Sequence, residues 1–152
     1  MKKYKIILIL VILFASLSIK SITAQDQVVV KFWSHDYAPR ETIDRDIIAQ
    51  FEAENPNITV EYTIGPGDDP LYIQQLQVAI AGGEGPDLFN VLTLGVPELM
   101  SSGAVVPVDW ELLGYESQED LTSRYLDGSL GDFMYDGTLY GLPTEVGNYS
   151  LI

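Results

Sequence analysis

Apolar and polar positions along this chain switch between two periods, and the switches mark its elements. Residues 28–33, VVVKFW, are a short run of β-branched and aromatic residues, which predicts a strand covered on both faces. From about Pro39 the period becomes helical. Ile43, Ile47, Ile48 and Phe51 fall on one apolar stripe with charged residues opposite. Pro39 suits a first helical turn, and Asn55-Pro56 stops the helix. Residues 58–64, ITVEYTI, predict a second strand, and the turn cluster GPGDDP follows. Asp69 can cap the next helix with Pro70 at its first position. Tyr72, Ile73, Leu76 and Ile80 give that helix a buried stripe, and Gly82-Gly83 ends it. Residues 86–92, PDLFNVL, predict a third strand, and residues 96–102 a short helix closed by Gly103. Ser117 and Asp120 form a capping box for a helix over 121–126, weakened by Asp in place of Glu. Asp136-Gly137, between two apolar-aromatic runs, signals a hairpin.

The order is βαβαβα followed by a hairpin. Strands and helices of these lengths in alternation predict an α/β fold: a mostly parallel sheet with helices on both faces, joined by right-handed crossovers. Ligands of open α/β sheets bind outside the carboxyl ends of the strands. The loops at 34–38, 65–69 and 90–95 are therefore the ones to search for function.

The first 24 residues differ from the rest. MKKYK is basic, IILILVILFA is ten apolar residues long, and a polar stretch runs to SITA. Charged end, apolar centre and small residue at the cut are the layout of a secretory signal peptide, residues 1–24, with cleavage after Ala24. A membrane-spanning helix needs roughly 20 apolar residues, so an uncleaved anchor is the lesser alternative. Cleavage removes four of the eight basic residues and none of the 22 acidic ones, leaving a net charge of −18 on residues 25–152. Such a surface repels nucleic acid and anionic lipid. The chain has no cysteine, which excludes disulfides and a lipid-modified N-terminal cysteine. The expected location is periplasmic or extracellular.

No catalytic set stands out. One histidine, no cysteine, no G-x-S-x-G serine and no P-loop leave little from which to build an enzyme. His35-Asp36 has no second histidine to complete a zinc set, and Asp68-Asp69 lacks the EF-hand spacing. We expect no catalytic residue, no metal and no cofactor. What remains is a polar and aromatic set at the strand ends: Trp33, Ser34, His35, Asp36, Tyr37, Asn90, Thr93, Glu145, Asn148 and Tyr149. Rings can cover the C–H faces of a sugar while carboxylates and amides meet its hydroxyls, the usual make-up of a small-molecule pocket. Trp33 reads equally well as core.

Several segments together resemble the extracellular solute-binding proteins of ABC importers, in the sugar-binding group that includes maltose- and glycerol-phosphate-binding proteins. VVVKFWSH resembles the family's first strand, and IIAQFEAENPNITVEY its first helix and second strand. YIQQLQVAIAGGEGPDLFNV resembles the second helix and the start of strand three; SSGAVVPVD and YDGTLYGLPTEVGNYSLI resemble later segments. The resemblance implies a type II periplasmic-binding-protein lobe, with residues 25–152 as part of the N-terminal lobe of a two-lobed protein. It implies ligand contacts after strand one (His35, Asp36, Tyr37), after strand three (Asn90 and Thr93) and after YGLP (Glu145, Asn148, Tyr149). The tryptophan that some members carry after strand three is absent here.

The expected function is capture of a sugar or polyol by hinge closure, without catalysis, by a monomer that delivers it to ABC permease subunits. The alternatives are a secreted carbohydrate hydrolase, with Glu145 and Asp36 as its candidate carboxylates, and a binder of peptides or polyamines on the same fold. The leader makes a separate prediction: mass spectrometry of the exported protein should find Gln25 as its first residue.

Overall fold

A computed structural model of the chain describes residues 27–67, 69–92 and 95–144, with Asp69 described by its backbone alone. The expected leader, residues 1–24, lies outside them. The first strand, β1 (Val28–His35), is the middle of a three-stranded sheet. On one side it pairs in parallel with β2 (Ile58–Gly65), in a register running from Val28 opposite Ile58 to His35 opposite Gly65. On the other it pairs in parallel with β3 (Leu88–Phe89), with Phe32 opposite Leu88 and Trp33 opposite Phe89. Helices α1 (Ala38–Glu54) and α2 (Asp69–Ala81) make the two crossovers. The expected parallel α/β arrangement is thus present, with the carboxyl ends of β1, β2 and β3 on one side.

Side-chain alternation assigns the helices to opposite faces. Phe32 and Tyr62 stack with ring centroids 5.2 Å apart, and the Tyr62 hydroxyl reaches Asp44 of α1. His35, on the other face, meets Tyr72 of α2 at 6.1 Å. Tyr72 and Leu76 are fully buried on α2, as the sequence pattern predicts. Gly65 makes this possible: a Cβ there would lie 2.5 Å from the Tyr72 ring, so only glycine lets the ring close over the end of β2. Asp87 fastens β3 to β1. Its N–H donates to the Lys31 carbonyl at 2.9 Å, while the Lys31 N–H donates to its carboxylate at 2.8 Å.

A second apolar cluster lies downstream. Val96, Leu99 and Met100 of α3 (Val96–Ser101) are buried, as are Leu121 of α4 (Gln118–Thr122) and Leu139 of β5 (Thr138–Leu139). Strand β4 (Met134–Tyr135) pairs antiparallel with β5 through the two-residue turn Asp136-Gly137. Both turn residues have positive φ, 49° and 77°, as a type I′ turn demands. Gln118 locks the hairpin: its amide N–H donates to the Gly137 carbonyl, and its oxygen accepts from the Leu139 N–H. The Ser117 hydroxyl accepts from Asp120 N–H at 3.1 Å, the expected cap. The return bond goes to the Glu116 N–H, and the helix stops at Thr122 rather than running to 126.

Three expectations are corrected. Val28 and Val29 are 48% and 52% exposed, so β1 is enclosed only towards its carboxyl end among the described residues. The third strand shrinks from seven residues to two. On α1, the stripe of Ile43, Ile47 and Phe51 is exposed and Ile48 half-buried, whereas Asp44 is buried. The reason lies beneath the helix. As an edge strand, β2 presents an outward N–H at Val60, which Glu52 satisfies at 2.7 Å, and the Tyr62 hydroxyl seeks an acceptor in Asp44. Unmet buried polar groups cost more than apolar contacts return, so the polar side of α1 turns inward.

The close approach at Gly65 sets a stability prediction. Gly65→Ala should cost about 2 kcal/mol through overpacking against Tyr72, read as a lower midpoint in urea denaturation with an unchanged slope.

Candidate functional site

The carboxyl ends of the three parallel strands converge. Asp36 N–H donates to the Gly65 carbonyl at 3.1 Å, and Asn90 N–H donates to the Trp33 carbonyl at 2.9 Å. These bonds tie the loops after β1 and β3 to the neighbouring strand ends at one rim. The chain leaves β1 at His35 and enters α1 at Ala38, with Tyr37 as the extended N-cap residue. His35 is 8% exposed, Tyr37 50%. The two rings are nearly parallel, 11° apart in plane with centroids at 6.4 Å, and Tyr72 backs His35 from the α2 side. An aromatic face at the rim thus rests on the buried His35 ring, which Tyr72 backs in turn. His35 Nδ1 and the Tyr72 hydroxyl have no hydrogen-bond partner among the described residues.

Behind the rim runs a chain of polar contacts. Tyr62 donates to Asp44 Oδ2 at 3.0 Å. Arg40 Nε donates to Asp44 Oδ1 at 2.7 Å, with the Asp44 side chain 3% and the Arg40 side chain 15% exposed. Arg40 Nη1 donates onward to Thr144 Oγ1 at 2.9 Å, and Asn90 Nδ2 donates to the same oxygen at 3.3 Å. Five residues from α1, β2, the end of β3 and the segment after Pro143 are joined by direct bonds. Both Asp44 oxygens accept, so the buried carboxylate is paired and hydrogen-bonded as such a charge requires.

The structure brings together some of the residues expected from sequence. Trp33, half-buried, stands on the α2 face, where it lines an open groove of about 430 Å³ with Leu71, Gln74, Gln75, Val78 and Ala79. Asp36 and Tyr37 are exposed and Asn90 is half-buried at the rim. His35 is 8% exposed, with its ring nearly parallel to that of Tyr37. Thr93, Glu145, Asn148 and Tyr149 lie outside the described residues. Sequence reading missed Arg40 and Thr144. The Arg40–Asp44 spacing of four on a helix was a usable signal; nothing local marks Thr144. Among the described residues no group of three or more His, Asp or Glu is placed to hold a metal ion.

Tyr62 has its ionisation pushed up to about 12 from 10.0, first by burial and then by its bond to Asp44 and the nearby negative charges. The Ser34 hydroxyl, within electrostatic reach but not in full hydrogen-bond geometry, opposes this. Tyr72 is pushed upward as well, by burial and then by Tyr62. The folded state therefore holds these protons at a pH where the unfolded chain releases them. Stability from this source is complete below about pH 10 and is lost as pH rises through about 12. Alkaline unfolding monitored by circular dichroism should show that loss, and Tyr62→Phe should reduce it.

Comparison with known proteins gives the chain a family. Residues 37–152 match the family described as bacterial extracellular solute-binding protein. A binding protein of Brucella abortus strain 2308 is 33% identical over 93 residues, 61% of this chain and 21% of its own. CpMnBP1 in its mannotriose-bound form superposes with a TM-score of 0.65 at 25% identity, covering 77% of this chain and 28% of that one. A family 1 solute-binding protein of Bifidobacterium longum subsp. infantis does so at 0.61 and 28% identity, covering 78% and 28%. A cycloalternan complex of a Listeria monocytogenes ABC substrate-binding protein gives 0.61 at 26%, covering 76% and 28%. The chain thus spans about a fifth of its curated relatives and just over a quarter of these solved structures. With the match covering about three quarters of the chain, it belongs to the bacterial extracellular solute-binding protein family.

Proposed function

We propose that these residues form one wall of the ligand cleft in a two-lobed ABC importer subunit that captures a sugar or polyol outside the cytoplasmic membrane. The observation that carries the reading is the exposed Tyr37 face at the carboxyl rim of the parallel sheet, backed by His35 and Tyr72. It lies in a fold whose relatives include proteins solved with mannotriose and cycloalternan. A flat ring with one open side suits the C–H face of a pyranose, and Asp36 and Asn90, at the same set of strand ends, supply hydrogen-bonding groups.

In this reading, ligand bridges the wall to a second lobe and stabilises the closed form by the contacts it gains only there. The closed monomer is what the permease subunits recognise. Residues 1–24 would direct export, and residues 25–152 would build the wall. Thr93, Glu145, Asn148 and Tyr149 remain assigned to the ligand on the strength of the family resemblance.

The test is isothermal titration of the complete two-lobed polypeptide with mannotriose, maltotriose, xylotriose and glycerol 3-phosphate, with spermidine as the contrasting cation. Saturable binding of one neutral sugar, and no new reducing ends on prolonged incubation, is the expected result. Tyr37→Ala should then weaken that sugar about ten-fold or more by removing the stacked ring. Binding of spermidine alone, or release of reducing ends, would replace this function with one of the alternatives.

A further inference from the structure

We propose that Thr144 is a ligand-contacting, specificity-determining residue whose hydroxyl is held as a dedicated hydrogen-bond donor; this rests on the sugar-binding reading above. A threonine hydroxyl has one proton to donate and two lone pairs to accept with. At Thr144 both acceptor positions are taken, by Arg40 Nη1–H at 2.9 Å and by Asn90 Nδ2–H at 3.3 Å. The O–H proton is left over and has no acceptor among the described residues. The residue is exposed. Through Asn90, whose N–H is bonded to the Trp33 carbonyl, it sits where β1 and β3 end. Its other partner, Arg40, lies in the first turn of α1 and donates its own N–H to the Tyr37 carbonyl at 2.9 Å.

The consequence is chemical selection. An ordinary surface hydroxyl rotates and serves as either donor or acceptor. This one cannot accept from a ligand without first breaking a bond to Arg40 or Asn90. Its proton points away from two N–H donors, one of them cationic, and hydrogen bonds in series polarise one another, so the O–H is a stronger donor than usual. The partner it fits is an acceptor oxygen of the ligand, a ring, glycosidic or hydroxyl oxygen of a sugar. An ammonium group at the same place would meet a donor and the Arg40 charge. Asp44 holds Arg40 in position, and Asp44 is itself fixed by Tyr62, so one of the two bonds that orient the hydroxyl is anchored on a part-buried network.

The experiment titrates the complete polypeptide and its Thr144→Ser and Thr144→Val variants with mannotriose, maltotriose and xylotriose, and follows the ligand-free melting temperature of each. Thr144→Ser keeps the donor and should stay within about three-fold of wild type, while Thr144→Val should lose about ten-fold or more. Monodeoxy analogues of whichever sugar binds then locate the contact. At one position, removing the oxygen should weaken wild type but leave Thr144→Val unchanged, a coupling that mere support of the segment would not produce. Equal affinity of wild type and Thr144→Val overturns the assignment and leaves the sugar reading standing. A loss that is uniform across all analogues and accompanied by a lower ligand-free melting temperature overturns it in the same way. No binding of any sugar by wild type overturns the functional reading, and this assignment with it.

Discussion

The parallel pairing of β1 along both of its edges is the constraint on which the rest depends. Parallel strands cannot be joined by tight turns, so each connection must travel back over a face of the sheet, and helices α1 and α2 are what fill that path. The same pairing puts the carboxyl ends of β1, β2 and β3 on one side. Tyr37, Asn90 and Thr144 come from distant parts of the sequence, yet the sheet delivers them to the same set of strand ends. The backbone bonds from Asp36 to Gly65 and from Asn90 to Trp33 hold that rim together after the strand pairing ends.

The two faces of the sheet are stabilised differently. On the α2 face burial is apolar, centred on Tyr72 and Leu76, and is permitted by the missing side chain at Gly65. On the α1 face the contacts are polar, with Asp44 shared between Arg40 and Tyr62, and Glu52 meeting the free N–H of the edge strand. A buried ion pair adds little net stability, because desolvation offsets most of the attraction. What it provides is direction. Arg40 bonds Asp44 and Thr144 at once, so the helix start, the sheet and Thr144 are held in a fixed relation.

That fixed relation suits a binding protein. A wall that closes on a ligand gains most when its groups are already oriented, since no ordering cost remains at the moment of binding. Tyr37 is held against the buried His35 ring, and Thr144 between two donors. The rim is open to solvent, while its supports lie beneath the surface.

The sequence by itself determined the order of elements, because period, proline and glycine act locally. The Asp136-Gly137 turn, the Ser117 cap, the α2 stripe and the stop after Ala81 all stand where pattern alone put them. The aromatic and polar character of the rim was also legible, since composition near strand ends needs no coordinates. What only the tertiary structure decided was which side of α1 turns inward, how little of the third strand pairs, and that the buried His35 ring lies nearly parallel to that of Tyr37. The α1 stripe of Ile43, Ile47 and Phe51 is a correct helical pattern, but a pattern cannot report that the surface beneath it carries an unpaired edge N–H and a tyrosine hydroxyl. Arg40 and Thr144 lie 104 residues apart, and no local rule couples them. Their contact exists because the sheet first brought the strand ends together, and buried polar groups then required partners wherever the chain could supply them.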